Sequence, residues 1–256
     1  MSLQACADLV ARGDADRFAA AMAAPPGARA VLFPLYAFNL EVARAPWLTA
    51  EPMIAEMRLQ WWRDVLDEIA AGGPVRRHEV ATPLADALNA EGARRLDALI
   101  EARRWDIAGE GFDHEAALTD YLEATAGGLM CTAANALGMP HDTDPVVIDF
   151  AFGAGLAAWF CAIPELEARG RRPLPDGRPQ AVAALAREGL RRIGLARARR
   201  HQVPAAARPA LYPGWQASVI LRQAADDPGR VASGVLGPSP FRKRLSLIAT
   251  ALTGRW

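Results

Sequence analysis

The chain has 256 residues, 52% of them hydrophobic, and its 29 basic and 29 acidic side chains leave no formal net charge. That suits one large globular domain or two small ones, with enough chain to bury a sizeable core, and the balanced charge argues against a general nucleic-acid or polyanion binder. Cys6, Cys131 and Cys161 are too few and too widely spaced for a disulfide framework or a zinc pattern.

No alternating Val/Ile/Thr run suggests a strand, so the expectation is an all-α, single-domain bundle of roughly eight to ten helices separated by Gly/Pro breaks. The opening MSLQACADLVARGD has acids and no long apolar run, unlike a secretory signal. Asp14 or Asp16 is placed to cap a helix through Ala24, ended by Pro25-Pro26-Gly27. Val31, Leu35, Phe38 and Val42 form the stripe of the next helix, stopped at Pro46.

Residues 49–70 hold the densest aromatic cluster. Thr49 is read as the cap, and Ile54, Met57, Trp61, Trp62, Val65, Leu66 and Ile69 recur at three- and four-residue spacing. This helix is expected at the centre of the bundle. Arg58 interrupts its apolar stripe, so it is expected to point inward to an acidic or carbonyl partner, with Glu41 the leading candidate. Asp64 and Glu68, one turn apart, could grip a cation or form a solvated edge paired with an arginine; the second reading is the simpler.

Short helices are expected from Thr82 to about Ala90 and from Ala93 to Ala108. A longer one, capped by Asp113, is expected to reach Leu137 with Gly127-Gly128 in its middle. Paired glycines inside a helix usually permit close approach of a backbone or ligand. Asp144-Pro145 opens a small-residue helix to Ile163, ended or kinked by Pro164. Its uncharged run, residues 150–163, is shorter than the about 20 residues that span a bilayer. Helices over 179–201 and 205–225, the latter broken at Pro213-Gly214, precede a loop over 226–240.

Residues 241–256 form a basic amphipathic tail beyond the domain at 1–240. Leu245, Ile248 and Leu252 share a face with Phe241, with Arg242, Lys243 and Arg244 at the start and Arg255-Trp256 at the end. This tail reads either as a docked final helix or as an interfacial helix on an anionic membrane.

The four histidines show no metal spacing, and no phosphate-binding glycine loop or nucleophile elbow occurs. His141-Asp142-Thr143-Asp144 reads as a helix-capping turn in preference to a metal loop.

The order of elements is informative. A helix with Tyr36-Ala37-Phe38 precedes RLQWWRDVLD; YLEATAGGLM follows, then a small-residue helix running into ARGRRPLP. This order, over about residues 16–225, resembles the squalene/phytoene synthase family, with its all-α isoprenoid synthase fold. The resemblance implies an enzyme joining two prenyl diphosphates in a helical cavity, with Mg²⁺ held by two facing aspartate-rich motifs. The first acidic run would fall near Ala43, Arg44 and Trp47, where only Glu41 is acidic. The second would fall near Ala162 and Leu166, where Glu165 and Glu167 point to different faces.

One divergent branch looks closer. It includes the mitochondrial complex I assembly factor with a squalene/phytoene synthase-like domain, and bacterial relatives. Phe38-Asn39-Leu40-Glu41, Arg58-Leu59-Gln60-Trp61-Trp62 and Cys161-Ala162-Ile163-Pro164 before 171–175 carry that likeness.

The resemblance therefore implies a non-catalytic protein, with no metal or cofactor, acting on a protein partner such as a respiratory complex I subunit. It would be cytoplasmic or held peripherally at the inner membrane. Two alternatives stand: a prenyltransferase using Mg²⁺ with Glu41, Asp64, Glu68 and Glu165, or an isoprenoid or lipid carrier. Tyr36, Asn39, Glu41, Arg58, Trp61, Trp62, Tyr121, Thr125 and Gly128 are the expected cavity residues.

Overall fold

The computed structural model describes residues 3–49, 51–109 and 111–256. Among them no strand occurs, and the architecture is the expected all-α bundle. In order, α1 (Leu3–Gly13), α2 (Ala15–Ala23) and α3 (Pro26–Arg44) open the chain. The carboxylate of Asp14 caps α2 by accepting the Arg17 amide at 2.9 Å. A 3₁₀ turn at Ala45–Trp47 leads to α4 (Pro52–Ala70). Then come α5 (Ala81–Ala87), α6 (Ala90–Arg103), α7 (Trp105–Ala108), α8 (Glu115–Leu122) and α9 (Gly128–Ala136). The long α10 (Asp144–Ala168) is followed by α11 (Pro179–Ala198), α12 (Ala217–Asp226), α13 (Gly229–Ala232) and α14 (Pro240–Thr253). The fourteen α-helical segments among the described residues exceed the expected number because α1 gives no strong cap signal, the helix expected over 113–137 is divided into α8 and α9, and α7 and α13 are single turns.

The central helix is α10, against the expectation that the aromatic helix would be. Phe150, Phe152, Leu156, Ala157, Phe160 and Ile163 are buried, and on its C-terminal half a face with Ala158 and Cys161 reaches solvent, the pattern of a helix covered by others over most of its circumference. It packs on α8, α9, α11, α12 and α13. By length and composition α10 could cross a membrane, yet in this fold its apolar surface faces neighbouring helices. Pro164 does not end it. One missing backbone donor is tolerated where Ile163 and Leu166 are buried on either side.

By contrast α4 is covered on one face only, through Ala55, Leu59, Trp62, Val65, Leu66 and Ile69. In its first two turns only Ala55 and Leu59 are covered, so Met53, Ile54 and Met57 reach solvent. Arg58 is exposed too, which corrects its expected inward placement beside Glu41. Thr49 is not the cap: its hydroxyl accepts the Glu51 amide at 3.1 Å, Glu51 precedes the helix, and Ala50 lies outside the described residues.

Glycines set the close approaches in the core. A Cβ on Gly153 would lie 2.5 Å from Ile193 of α11, and one on Gly155 would lie 2.7 Å from the Cβ of Ala126. Gly127 and Gly128, expected to play that part, would meet only ordinary contacts. They sit instead at the end of a π-helical turn, Glu123–Gly127, joining α8 to α9.

Candidate functional site

Small side chains on α10 and the π turn bring two backbones together without filling the space beside them. The result is a pair of adjoining cavities of about 270 Å³ each, sharing Arg17, Ala126, Gly155 and Ala158 as walls. The first lobe runs toward α12, between Asp14, Asp16, Met130, Cys161, Gly214 and Ile220. The second runs toward α3 and the turn after it, where Asn39, Ala43 and Trp47 share the lining with Ala158, Trp159, Ala162 and Leu166 of α10. A shallower cavity of about 350 Å³ continues outward past Arg44, Trp47, Glu165 and Arg169.

Besides Arg17 of α2, the charged groups in the second lobe, Arg103 and Asp106, come from the α6–α7 corner. Arg103 Nη1 donates to Asp106 Oδ2 at 3.1 Å and to the Tyr121 hydroxyl at 2.7 Å, and that hydroxyl donates to Asp106 Oδ1 at 3.0 Å. Arg171 Nη2 donates to the Asp106 carbonyl at 2.8 Å. Asp106 is 4% exposed. Burial pushes the Tyr121 pKa up; burial alone would lower that of Arg103, but Tyr121 and Asp106 beside it raise it. Trp105 stacks on Phe112 at 4.2 Å, and Tyr121 meets Trp159 edge-on at 5.2 Å, which holds the cluster in an aromatic wall.

In the first lobe Arg17 Nη1 binds Asp14 Oδ2 at 2.6 Å, and Asp16 pairs with Lys243 and accepts from Gln216 at 2.9 Å. Tyr36, expected in the cavity, lines neither lobe: it is 3% exposed behind Arg17, whose guanidinium lies 6.0 Å from its ring centre, and its hydroxyl finds no partner among the described residues; burial pushes its pKa up. At the outer mouth the guanidiniums of Arg169 and Arg171 lie 4.7 and 5.4 Å from the Trp47 ring centre.

The structure brings Asn39, Tyr121 and Thr125 to the second lobe. Other expected positions lie elsewhere. Trp62 is core, edge-on to Phe38 at 5.3 Å. Trp61 is half-buried against His78 and under Arg76. Arg58 is on the surface, and Gly128 faces Arg95 of α6. Nor do the four acids of the prenyltransferase alternative converge. Glu68 is gripped by Arg76 at 2.6 and 2.9 Å, which lowers its pKa; Asp64 accepts from Gln60 at 2.8 Å. Glu165 binds Arg169 at 2.6 Å on the surface, and Glu41 is on α3. Among the described residues no three His, Cys, Asp or Glu side chains are grouped to hold one metal ion.

Sequence reasoning missed Arg17, Arg103, Asp106 and Trp159. A faint signal existed for Asp106: an acid three residues after Arg103, next to a tryptophan, at a helix end. Arg17 gave none, because an arginine in a helix's first turn looks like ordinary surface.

The squalene/phytoene synthase family model matches residues 10–212. The chain belongs to the squalene/phytoene synthase family. Among curated proteins it is similar to NADH dehydrogenase (ubiquinone) complex I, assembly factor 6, from Bos taurus, with 26% identity over 136 residues covering 52% of this chain and 40% of that protein. The Drosophila melanogaster homolog is 30% identical over 132 residues, 49% of this chain and 39% of that one. The chain therefore matches less than half the length of these relatives. They fall in the divergent branch that the FNLE, RLQWW and CAIP motifs resemble.

Among solved structures, a dehydrosqualene synthase in complex with ligand superposes with a TM-score of 0.78 at 13% identity, covering 98% of this chain and 96% of that one. Squalene synthase HpnC from Alicyclobacillus acidocaldarius gives 0.71 at 18% identity, covering 88% and 93%. These likenesses establish the isoprenoid synthase fold.

Proposed function

We propose that this chain keeps the isoprenoid synthase scaffold but works through protein contacts in the assembly of respiratory complex I, and not by joining prenyl diphosphates. The observation that carries this reading is the pair of walls facing each other across the second lobe. Ala43 and Trp47 stand on one side and Ala162 and Leu166 on the other, where the family resemblance calls for carboxylates. A diphosphate leaving in an apolar cavity needs cations to take up its charge, and Mg²⁺ needs oxygen ligands. Asp106 is satisfied by Arg103 and Tyr121, and Asp14 and Asp16 by Arg17 and Lys243. The donor set does not fit a Mg²⁺ pair, so no ionisation step is assigned.

The assembly-factor relatives support the partner class, and a complex I subunit at the inner membrane is the partner proposed. A surface suited to it is the start of α4 and the turn before it, where Met53 and Met57 are 75% and 66% exposed and Leu48 is 56% exposed. Methionines adapt to a facing surface, and contiguous exposed apolar side chains mark interaction sites. The test is deletion in the organism that carries this chain, complemented by wild type or Met53→Glu/Met57→Glu. Loss of complex I activity with unchanged isoprenoid products, restored by wild type alone, is expected. Turnover of farnesyl diphosphate with Mg²⁺ that disappears in Glu41→Gln would overturn the reading.

A lipid-carrier role is the second reading, supported by the open small-residue cavity. Native mass spectrometry of the purified protein tests it through a co-purifying isoprenoid or lipid.

A further inference from the structure

The tail helix α14 is docked, but with its apolar stripe turned away from the core. Phe241, Leu245, Ile248 and Leu252 are 75%, 54%, 55% and 83% exposed. At 3.6 residues per turn these four fall within about 60° of one another. The opposite side faces the protein. Lys243 pairs with Asp16, the Lys243 carbonyl accepts from Trp215 Nε1 at 3.2 Å, and Thr250 is buried. Trp256, which the interfacial reading would set at the membrane boundary and the docked reading against the core, is 4% exposed, edge-on to Phe150 at 4.7 Å, and its carbonyl accepts from Arg197. The helix cannot roll to hide its stripe without breaking these contacts.

The charge around the stripe says what covers it. Arg242 and Arg244 are exposed and lie on either side of it, about 100° and about 60° from Phe241. Arg255 is also exposed, and residues 240–256 contain no acid. Since the whole chain is neutral, this positive charge is local. Three cations at a helix start oppose the helix dipole; Asp16 offsets Lys243 alone, which leaves Arg242 and Arg244 for an external anion. The stripe is about 16 Å long on a helix about 10 Å wide, far less than the roughly 800 Å² per partner of a stable protein interface. A lipid surface sets no such minimum.

We propose that α14 is an interfacial anchor that lays Phe241, Leu245, Ile248 and Leu252 into an anionic bilayer, with Arg242 and Arg244 on the headgroups. The anchor lies beyond the stretch matched by the family model and does not depend on what the cavity does. Truncation at Pro240 is a poor test because it removes buried Trp256, so point variants of the full chain are used.

The experiment is co-sedimentation with phosphatidylcholine vesicles, alone or mixed with phosphatidylglycerol, at low and high salt. Wild type is expected to bind only the mixed vesicles, less so at high salt. Arg242→Gln/Arg244→Gln is expected to bind about thirtyfold more weakly and with little salt dependence. Leu245→Ser/Ile248→Ser is expected to lose at least about tenfold. All these positions are exposed, so the melting temperature serves as the folding control. Equal binding by the three proteins, or equal binding to both vesicle types, overturns the proposal. So does a wild-type dimer that becomes monomeric in Leu245→Ser/Ile248→Ser, which would assign the stripe to a second copy of the chain.

Discussion

Truncating Trp62 and Trp61 separately tests how α4 sits in the fold. The two are adjacent and chemically identical, and they differ in surroundings. Trp62 is 4% exposed and lies between Phe38 at 5.3 Å, Trp61 at 4.9 Å and His78 at 5.6 Å. Trp62→Ala opens a cavity bounded by three rings and is expected to cost about 3–5 kcal/mol, toward the upper end. Trp61 is half-buried; its losses are partial burial, the edge contact to His78 and the Arg76 guanidinium 5.3 Å from its ring centre. Together these amount to about 1–2 kcal/mol. For a chain of this size each kcal/mol moves the melting temperature by about 2–4 °C. The expected falls are therefore about 6–20 °C for Trp62→Ala and about 2–8 °C for Trp61→Ala. Thermal unfolding followed by circular dichroism at 222 nm (the helix band) reads both. A Trp61→Ala loss equal to or larger than that of Trp62→Ala would refute the assigned face of α4.

Asp106→Ala leaves Arg103 without its carboxylate and is expected to cost about 3–5 kcal/mol, whereas Tyr121→Phe removes one hydroxyl and is expected to cost about 1–2 kcal/mol; urea midpoints that reverse this order would count against the buried cluster. Burial pushes the Cys131 thiol up to about 12 and the Cys6 thiol up to about 11, from 9.0. The folded protein thus keeps protons that the unfolded chain releases, so this stability is fully present below pH 9.0 and is lost as pH rises toward 11–12. Cys6→Ala/Cys131→Ala is expected to flatten that alkaline decline in the urea midpoint, and an unchanged slope would contradict it. Cys161 is the exposed thiol and lines the first lobe, so maleimide is expected to label it first and farnesol to slow the labelling. Ala158→Phe, which fills the space shared by both lobes, is expected to abolish that protection, as seen by mass spectrometry.

Fold class, family and most helix positions were legible in the sequence, because they rest on local signals. Asp14 capping α2, Pro25-Pro26 closing α2 and opening α3, Asp144-Pro145 opening α10 and the absence of alternating strands act within a few residues of chain. The ordered motifs from Tyr36 to Pro175 added the family. Which face of a helix is covered depends on neighbours distant in sequence, and here the local pattern misled. Periodicity placed Ile54, Met57 and Arg58 inside, but among the described residues that side of the first turns of α4 is left exposed. The stripe on α14 was read correctly as a stripe, yet Lys243, Thr250 and Trp256 hold the helix with that stripe outward. The cavity was illegible for a further reason. Its walls are alanines and glycines, which carry no chemical signature, and its charged cluster joins Arg103 and Asp106 to Tyr121 and Arg171 across the fold. Sequence by itself determined the scaffold and the elements; only tertiary packing decided which side chains meet, because burial is a property of the assembled surfaces and not of any one helix.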